Sequence, residues 1–338
     1  MTAALPAVTP KLVIARRRTV AINVLRLAAA LTIMLVVQSG SLTRALADDC
    51  VADPGPKYQP IAGLPDDSFP VCYLAPNDAN KAAYTALQSR HILEVYSQFL
   101  SPLRLPHPLT LVALNCQPNF HSDSPFYSPG DRALHFCYEW YKVVLQWAPT
   151  ATTPEGVTRA NVITGMWAGT LLHETGHAVF DMLDVPVFGR EEDAADEVAA
   201  FIAVQFNKDV ARTIIKGFAY FWQMAAKAGN DPPTATNPNP AKDATQRCLR
   251  DPLCAYADVH GTASQRLYNT LCLGYGADRE TFKDFVQMKW LPKARADGCE
   301  REYHQLESAF IKTILPFIDP DLRKKVQSIQ WLLPTEVQ

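Results

Sequence analysis

The chain has 338 residues, of which 48% are hydrophobic and 20% are charged, and this composition is ordinary for a globular protein. Its formal net charge of −2 and the lack of a basic stripe with interleaved aromatic residues argue against a nucleic-acid partner. The length allows one or two domains, and the sequence contains no evident internal repeat.

The first 47 residues predict a secretory signal peptide. An arginine triplet at residues 16–18 precedes an uncharged, largely apolar run over residues 27–37, and the Ala-Leu-Ala of residues 45–47 suits a signal peptidase. Cleavage after Ala47 would give a periplasmic or secreted protein without stable membrane association. The alternative is an inner-membrane anchor over residues 19–38, although a spanning helix needs about 20 apolar residues and Arg26 interrupts this stretch.

All eight cysteines follow the proposed cleavage point, and an even number in an exported chain indicates disulfide bonds. The sequence alone cannot choose among the 105 pairings. The alternative of cysteine zinc ligation lacks a C-x-x-C motif. Pairing each cysteine with its nearest neighbour gives Cys50–Cys72, Cys116–Cys137, Cys248–Cys254 and Cys272–Cys299.

Residues 48–338 are predicted to form one mainly helical α+β domain. Residues 48–76 look irregular, and apolar spacing predicts a helix over residues 79–100. Two strands, at residues 109–114 and 133–138, are predicted to pair as a hairpin across a long turn. A strand beside a functional cleft could hold an extended peptide by edge pairing. Further helices are predicted near residues 159–183, 191–206, 210–227, 262–275, 279–289 and 302–316, with an exposed loop at residues 229–246.

The motif HETGH lies inside the predicted helix 159–183. It places His173 and His177 one turn apart on the same face, as a pair of nitrogen ligands for one zinc ion. Glu174 lies between them as a candidate general base, which completes the HExxH arrangement of zinc hydrolases. The flanking residues are uncharged and predict a buried helix, where charged groups are costly unless they are paired or bind metal. The alternative is that the short motif arose by chance.

The predicted helix 191–206 supplies a third candidate ligand, Glu192. Asp193 is the alternative, because the register of the acidic run is not fixed by the sequence. Asp196, one turn after Glu192, could accept a hydrogen bond from the free ring nitrogen of a ligand histidine. The run could instead be the solvated first turn of a helix, where acidic residues are favoured.

Three further residues complete the set of predictions. His260 and Tyr268 are candidate hydrogen-bond donors to the oxyanion that forms during hydrolysis. Each could equally be a packed or capping residue. Gly176 costs a helix about 1 kcal/mol relative to alanine, which indicates close approach of a strand or a second helix at this point. The alternative is neutral drift.

The combination of HETGH with Glu192 and Asp196 resembles the gluzincin pattern of zinc metallopeptidases, and residues 192–196 resemble the ligand segment of CAAX-type prenyl endopeptidases. The chain is more similar to a bacterial family of exported metallopeptidase-like proteins that is labelled as a domain of unknown function. This resemblance spans about residues 75–320 and implies a zincin-like domain that acts on peptides or proteins, without naming a substrate. It rests on Cys116, residues 126–127, 136–139, 173–177, 189–196, 265–269 and 272–276, and on residues 291–299 and 302–303.

Three hypotheses follow from these residues. The first is an exported zinc endopeptidase with one Zn²⁺ ion, in which Glu174 activates a water. The second is a catalytically silent, zinc-stabilised binding module, although a pure binding site needs no base at Glu174. The third is a membrane-anchored structural protein in which HETGH is accidental.

Overall fold

A four-stranded sheet and a set of helices make up the computed structural model, which describes residue 50 and residues 58–65, 68–117, 123–230 and 259–328. The prediction of a mainly helical α+β protein is confirmed. The strands are β1 (Val71–Tyr73), β2 (Thr110–Leu114), β3 (Phe126–Ser128) and β4 (Ala133–Cys137). The helices are α1 (Lys81–Ser89), α2 (Ile92–Leu100), α3 (Tyr138–Trp147), α4 (Arg159–Met182), α5 (Glu191–Ala203), α6 (Lys208–Ala225), α7 (Ala263–Ala277), α8 (Lys283–Gln287), α9 (Lys293–Ala296), α10 (Cys299–Thr313) and α11 (Pro320–Gln327).

The sheet has the strand order β1-β2-β4-β3, and the predicted hairpin is wrong. β2 and β4 pair in parallel, with Leu111 opposite Leu134, while the antiparallel partner of β4 is β3. The disulfide between Cys116 and Cys137 explains the difference, because it joins the carboxyl ends of β2 and β4. In a hairpin the end of one strand lies beside the start of the other, so these two cysteines would be at opposite edges.

Several elements also depart from the sequence-based boundaries. The predicted helix 79–100 divides into α1 and α2 at His91, whose φ of 51° takes the chain out of the helical path. The predicted irregular segment 48–76 contains β1, and the long turn contains β3. Both strands have three residues, too few for an alternating apolar pattern. The helix α3 starts directly after β4 and was not predicted.

The helix α4 lies at the centre of the molecule and packs against α5, α6, α3 and the sheet. A capping box of Thr158 and Asn161 fixes its first turn. Most of its side chains are buried around the whole circumference, which is typical of a core helix rather than an amphipathic surface helix. HETGH therefore lies on an element that is held from several sides.

Glycines allow α6 to lie directly against α4. A Cβ atom added at Gly217 would lie 1.8 Å from the carbonyl oxygen of Asn161, and one added at Gly165 would lie 2.5 Å from the Cα of Gly217. One added at Gly169 would lie 2.3 Å from the ring of Phe218. The two backbones are therefore in contact where larger residues would hold them apart.

The disulfides follow the nearest-neighbour pairing wherever the structure describes the cysteines. Cys50–Cys72, Cys116–Cys137 and Cys272–Cys299 are formed, with Cα–Cα distances of 5.3, 5.2 and 5.1 Å. The first two tie the sheet and the third joins α7 to α10. The predicted pair Cys248–Cys254, the signal segment 1–47 and residues 231–246 of the predicted loop lie outside the described residues. Across the described part of the chain, no helix combines the length and apolar character needed to cross a bilayer.

The contact between α4 and α6 gives a first testable prediction. Gly217→Ala forces a methyl group onto the Asn161 carbonyl, and overpacking of this kind costs about 1–3 kcal/mol. We expect the free energy of unfolding, measured with urea, to fall by that amount or more. Gly130→Ala is the control, because a Cβ atom there meets only the Ser128 hydroxyl at 4.0 Å. Equal stability of the two variants would contradict the proposed backbone contact.

Candidate metal centre

The HETGH segment presents three side chains from the middle of α4. His173 and Glu174 are buried and His177 is partly buried. The Nε2 atoms of the two histidines lie 3.2 Å apart, because residues four apart occupy the same face of a helix. The two imidazoles therefore direct their Nε2 atoms towards the same position.

The helix α5 brings a carboxylate to the same point. Glu192 Oε2 lies 3.1 Å from His173 Nε2 and 3.4 Å from His177 Nε2. The three ligand atoms all lie within 4.8 Å of one another, and together they could hold a metal ion. We refer to His173, His177 and Glu192 as the metal cluster. Asp193, the alternative in the sequence analysis, forms an ion pair with Arg190 at 2.9 Å instead.

The reach of Glu192 depends on close packing of α5 against α4. A Cβ atom added at Gly176 would lie 3.1 Å from the Cα and 3.3 Å from the Cβ of Ala195, so the predicted close approach of a second helix is confirmed. Ala195, Ala199 and Ala200 are all buried. Small residues on both helices thus place the ligands of one within bonding range of the other.

A second carboxylate holds each histidine by its other ring nitrogen. Asp196 Oδ1 lies 2.9 Å from His173 Nδ1, as predicted from its position one turn after Glu192, and Glu191 Oε1 lies 2.7 Å from His177 Nδ1. With an acidic oxygen at Nδ1, the neutral ring carries its proton there and keeps the Nε2 lone pair for a metal.

Charges within the cluster shift the protonation of its members. Burial lowers the pKa of His173, but hydrogen bonds to Asp196 and Glu192 outweigh it and raise that pKa to about 9. Burial raises the pKa of Glu192, yet hydrogen bonds from His173, His177 and His260 bring it far below its usual range. In the metal-free protein, His173 and Glu192 thus share a proton where a metal would bind. Metal binding is therefore linked to release of that proton.

Glu174 lies beside the cluster without belonging to it. Its Oε2 accepts a hydrogen bond of 2.9 Å from the backbone N–H of Tyr127 in β3, and its Oε1 lies 4.0 Å from His173 Nε2. Burial raises the pKa of Glu174, although the two histidines and the Tyr127 amide oppose that shift. The sheet therefore fixes the carboxylate that was predicted to act as general base.

Comparison with known proteins adds a family to this geometry. Residues 73–314, more than half of the chain, match the sequence model of a family, DUF4344, which carries the description "Putative metallopeptidase". The chain belongs to this family. The match agrees with the resemblance found from the motifs, and the family description implies a metal and a peptidase role. No curated protein and no solved structure matched the chain.

The family match includes both residues that were predicted to donate to the oxyanion, but only one of them lies at the metal cluster. His260 Nε2 lies 3.0 Å from Glu192 Oε2 with its side chain 46% exposed, so it is at the cluster and open to solvent. Tyr268 is 37% exposed and, among the described residues, forms no hydrogen bond with the metal cluster. It follows Arg266 by two positions, which is about 200° around α7, and Arg266 faces the cluster.

Three contributors to the site within the family match were not predicted from the sequence. They are Arg266, which binds Asp196, Glu191, which binds His177, and the Tyr127 amide. Arg266 carried a usable signal, because an arginine among the apolar residues of α7 must find a partner if it is buried. A backbone amide carries no signal in the sequence, since every residue except proline has one.

The helix α5 carries a further acid, the half-buried Glu197, which gives a prediction about pH. Burial raises its pKa to about 7, and the nearby charges of Asp193, Glu302 and Asp196 add to the shift. The pKa of Glu197 in the folded protein exceeds its unfolded value of 4.5. The contribution of the protonated carboxyl to the free energy of unfolding is therefore fully present below pH 4.5 and is lost as the pH rises through 7.

We therefore expect Glu197→Gln to remove this loss of stability. The difference in the free energy of unfolding between metal-free variant and metal-free wild type should rise by about 2 kcal/mol in favour of the variant between about pH 5 and pH 8. It is measured by urea unfolding with a chelator present. Glu280→Gln, which changes an exposed carboxylate, serves as the control and should leave the difference flat. A flat difference for Glu197→Gln as well would show that its carboxyl is not held in a buried site.

Proposed function

We propose that this chain is an exported zinc-dependent metallopeptidase that hydrolyses peptide bonds in peptides or proteins, with Glu174 as general base. One observation carries the proposal: two imidazoles and one carboxylate converge within 4.8 Å, with a second, non-ligand carboxylate beside them. The family description supports the peptidase class.

The donor set supports zinc as the metal. Catalytic zinc sites commonly take two histidines and one glutamate and leave one position open. Tetrahedral coordination with bonds of about 2.0–2.2 Å places neighbouring ligand atoms about 3.4 Å apart. The three ligand–ligand distances of the metal cluster are 3.1, 3.2 and 3.4 Å. The cluster therefore needs little movement to hold the ion.

The proposed roles of the residues follow from their positions. When bound, Zn²⁺ lowers the pKa of a coordinated water to about 7 and polarises the substrate carbonyl. Glu174 takes the proton of the attacking water and later delivers it to the leaving amine. Its raised pKa suits this exchange, because a base works best when its pKa is close to the working pH. His260, exposed at the cluster, is the better candidate to steady the oxyanion.

The position of β3 suggests how a substrate would bind. β3 is one of the two edge strands of the sheet in the part of the chain that the structure describes, and its Tyr127 amide donates to Glu174. An extended peptide that pairs with this edge would pass beside the cluster. The proposal therefore assigns the substrate an extended backbone and no particular sequence.

Export is proposed from the cysteines and the first 47 residues. Disulfides persist in oxidising compartments such as the periplasm, and each of the six described cysteines is disulfide-bonded. We propose that the signal peptide is removed and that the mature protein is periplasmic or secreted.

The first test of the proposal separates zinc binding from catalysis. Glu174→Gln is expected to bind zinc normally and to lose cleavage by about 100-fold or more, because the amide cannot accept a proton. His173→Ala is expected to lose both zinc and cleavage. Zinc content is measured by elemental analysis of the purified protein, and cleavage with casein or a peptide library.

Glu280→Gln is the control for this test, because its exposed carboxylate lies outside the cluster. Cleavage that persists in Glu174→Gln would contradict the mechanism. Zinc binding without cleavage by the wild type would favour the silent binding module instead. A wild type without zinc would contradict both.

A second test decides which acid of α5 is the third ligand. Glu192→Gln is expected to lose zinc, because its carboxylate contacts both histidines. Asp193→Asn is the matched neighbour and is expected to retain zinc, because its side chain pairs with Arg190. Zinc affinity is measured by competition with a chelator. The reverse order of the two affinities would show that α5 lies in a different register.

A further inference from the structure

Arg266 is a buried cation in a position that costs free energy. The residue is 7% exposed and lies on α7 beside the buried residues Leu267 and Thr270. Removing a guanidinium from water costs several kcal/mol unless its donors are matched by acceptors. A buried arginine at this position therefore requires a buried partner of opposite charge.

The partner is Asp196, which Arg266 holds with two nearly parallel hydrogen bonds. Arg266 Nη2 donates to Oδ1 at 2.7 Å and Nε donates to Oδ2 at 2.5 Å. This fork arrangement fixes the plane of the carboxylate as well as its position. Asp196 is itself 4% exposed, so no solvent competes for its oxygens.

The same Asp196 oxygen also serves His173. Oδ1 lies 2.7 Å from Arg266 Nη2 and 2.9 Å from His173 Nδ1. Arg266 Nη2 and His173 Nδ1 are 3.4 Å apart, and neither can accept from the other when both carry protons. Asp196 therefore accepts a hydrogen bond from each of them. The orientation of the carboxylate, which Arg266 fixes, in turn orients the imidazole of His173.

Trp222 of α6 packs against the guanidinium of Arg266. The Cζ atom of Arg266 lies 3.6 Å from the centroid of the indole ring, in the range of a cation–π contact. A chain of contacts thus runs from α6 through α7 and α5 to the histidine on α4. Each link is a side chain held on at least two sides.

From this geometry we infer that Arg266 is a positioning residue for the metal: it fixes Asp196 so that His173 presents Nε2 to the cluster. The inference rests on the proposed zinc site. Asp196 and Arg266 also cancel each other's charge, so the outer carboxylate adds no net charge beside the metal ligands. Arg266 does not contact the reacting atoms and acts only through Asp196.

The two histidines of the cluster are held unequally, which provides a built-in comparison. The Glu191 side chain that binds His177 is 57% exposed, so water can replace it. The Asp196 side chain that binds His173 is 5% exposed and paired with Arg266. Changes to Asp196 or Arg266 should therefore weaken metal binding more than Glu191→Gln does.

The test is the zinc affinity of the full mature protein, measured by competition with a chelator. Outer carboxylates of this kind change metal affinity by about 10–100-fold, and we expect losses in that range for Asp196→Asn and for Arg266→Gln. Arg266→Lys, which keeps the charge without the fork, should lose less than Arg266→Gln. In the double variant Asp196→Asn/Arg266→Gln, the second change should add no further loss.

This double variant keeps the test decisive if Arg266→Gln fails to fold, because it removes both buried charges together. A purely structural arginine would lower stability without this non-additive pattern in zinc affinity. Wild-type affinity in Arg266→Gln, a larger loss in Arg266→Lys than in Arg266→Gln, or a full additional loss in the double variant would overturn the inference and leave the proposed function standing. Wild-type protein that binds no zinc would overturn the proposed function and the inference with it.

Discussion

The close approach of α4 and α5 is the constraint on which the metal cluster depends. Gly176 and Ala195 leave room for the two helices to touch, and this contact brings Glu192 within 3.4 Å of both histidines. Eleven residues earlier on α4, the helix is held in the same way by the contact of Gly165 with Gly217. A helix fixed by close backbone contact at two points along its length can hold a ligand to the precision that coordination bonds require.

Electrostatics gives the second constraint. Glu174, Glu192 and Asp196 bring three carboxylates into one largely buried region, and Arg266 neutralises only Asp196. In the metal-free protein, the raised pKa of His173 favours a proton on this histidine, which balances part of the remaining charge. A divalent cation would replace that proton as the balancing charge. Metal binding and the stability of this region are therefore coupled.

How far the sequence could predict the site depends on the range of each contact. His173, Glu174 and His177 share one helix turn, and Glu192 and Asp196 share another, so local periodicity was sufficient to find them. The pairing of β2 with β4 and the contact of Arg266 with Asp196 join distant segments, and neither leaves a periodic pattern. The cysteine spacing contained the missing information about the sheet, since a Cys116–Cys137 bond excludes the hairpin.

Glu174 favours catalysis over structural metal binding as the role of the site. A structural site closes around its ion with protein ligands and needs no additional acid. Glu174 is buried beside the cluster, and burial raises its pKa, so its position has an electrostatic cost that metal binding alone does not explain. Glu174 lies on α4 between the two histidines, and the Tyr127 amide of the sheet gives its carboxylate a second contact. Proton transfer requires a carboxylate that is held in place without binding the metal, because it must exchange protons while the ligands stay bound to the ion.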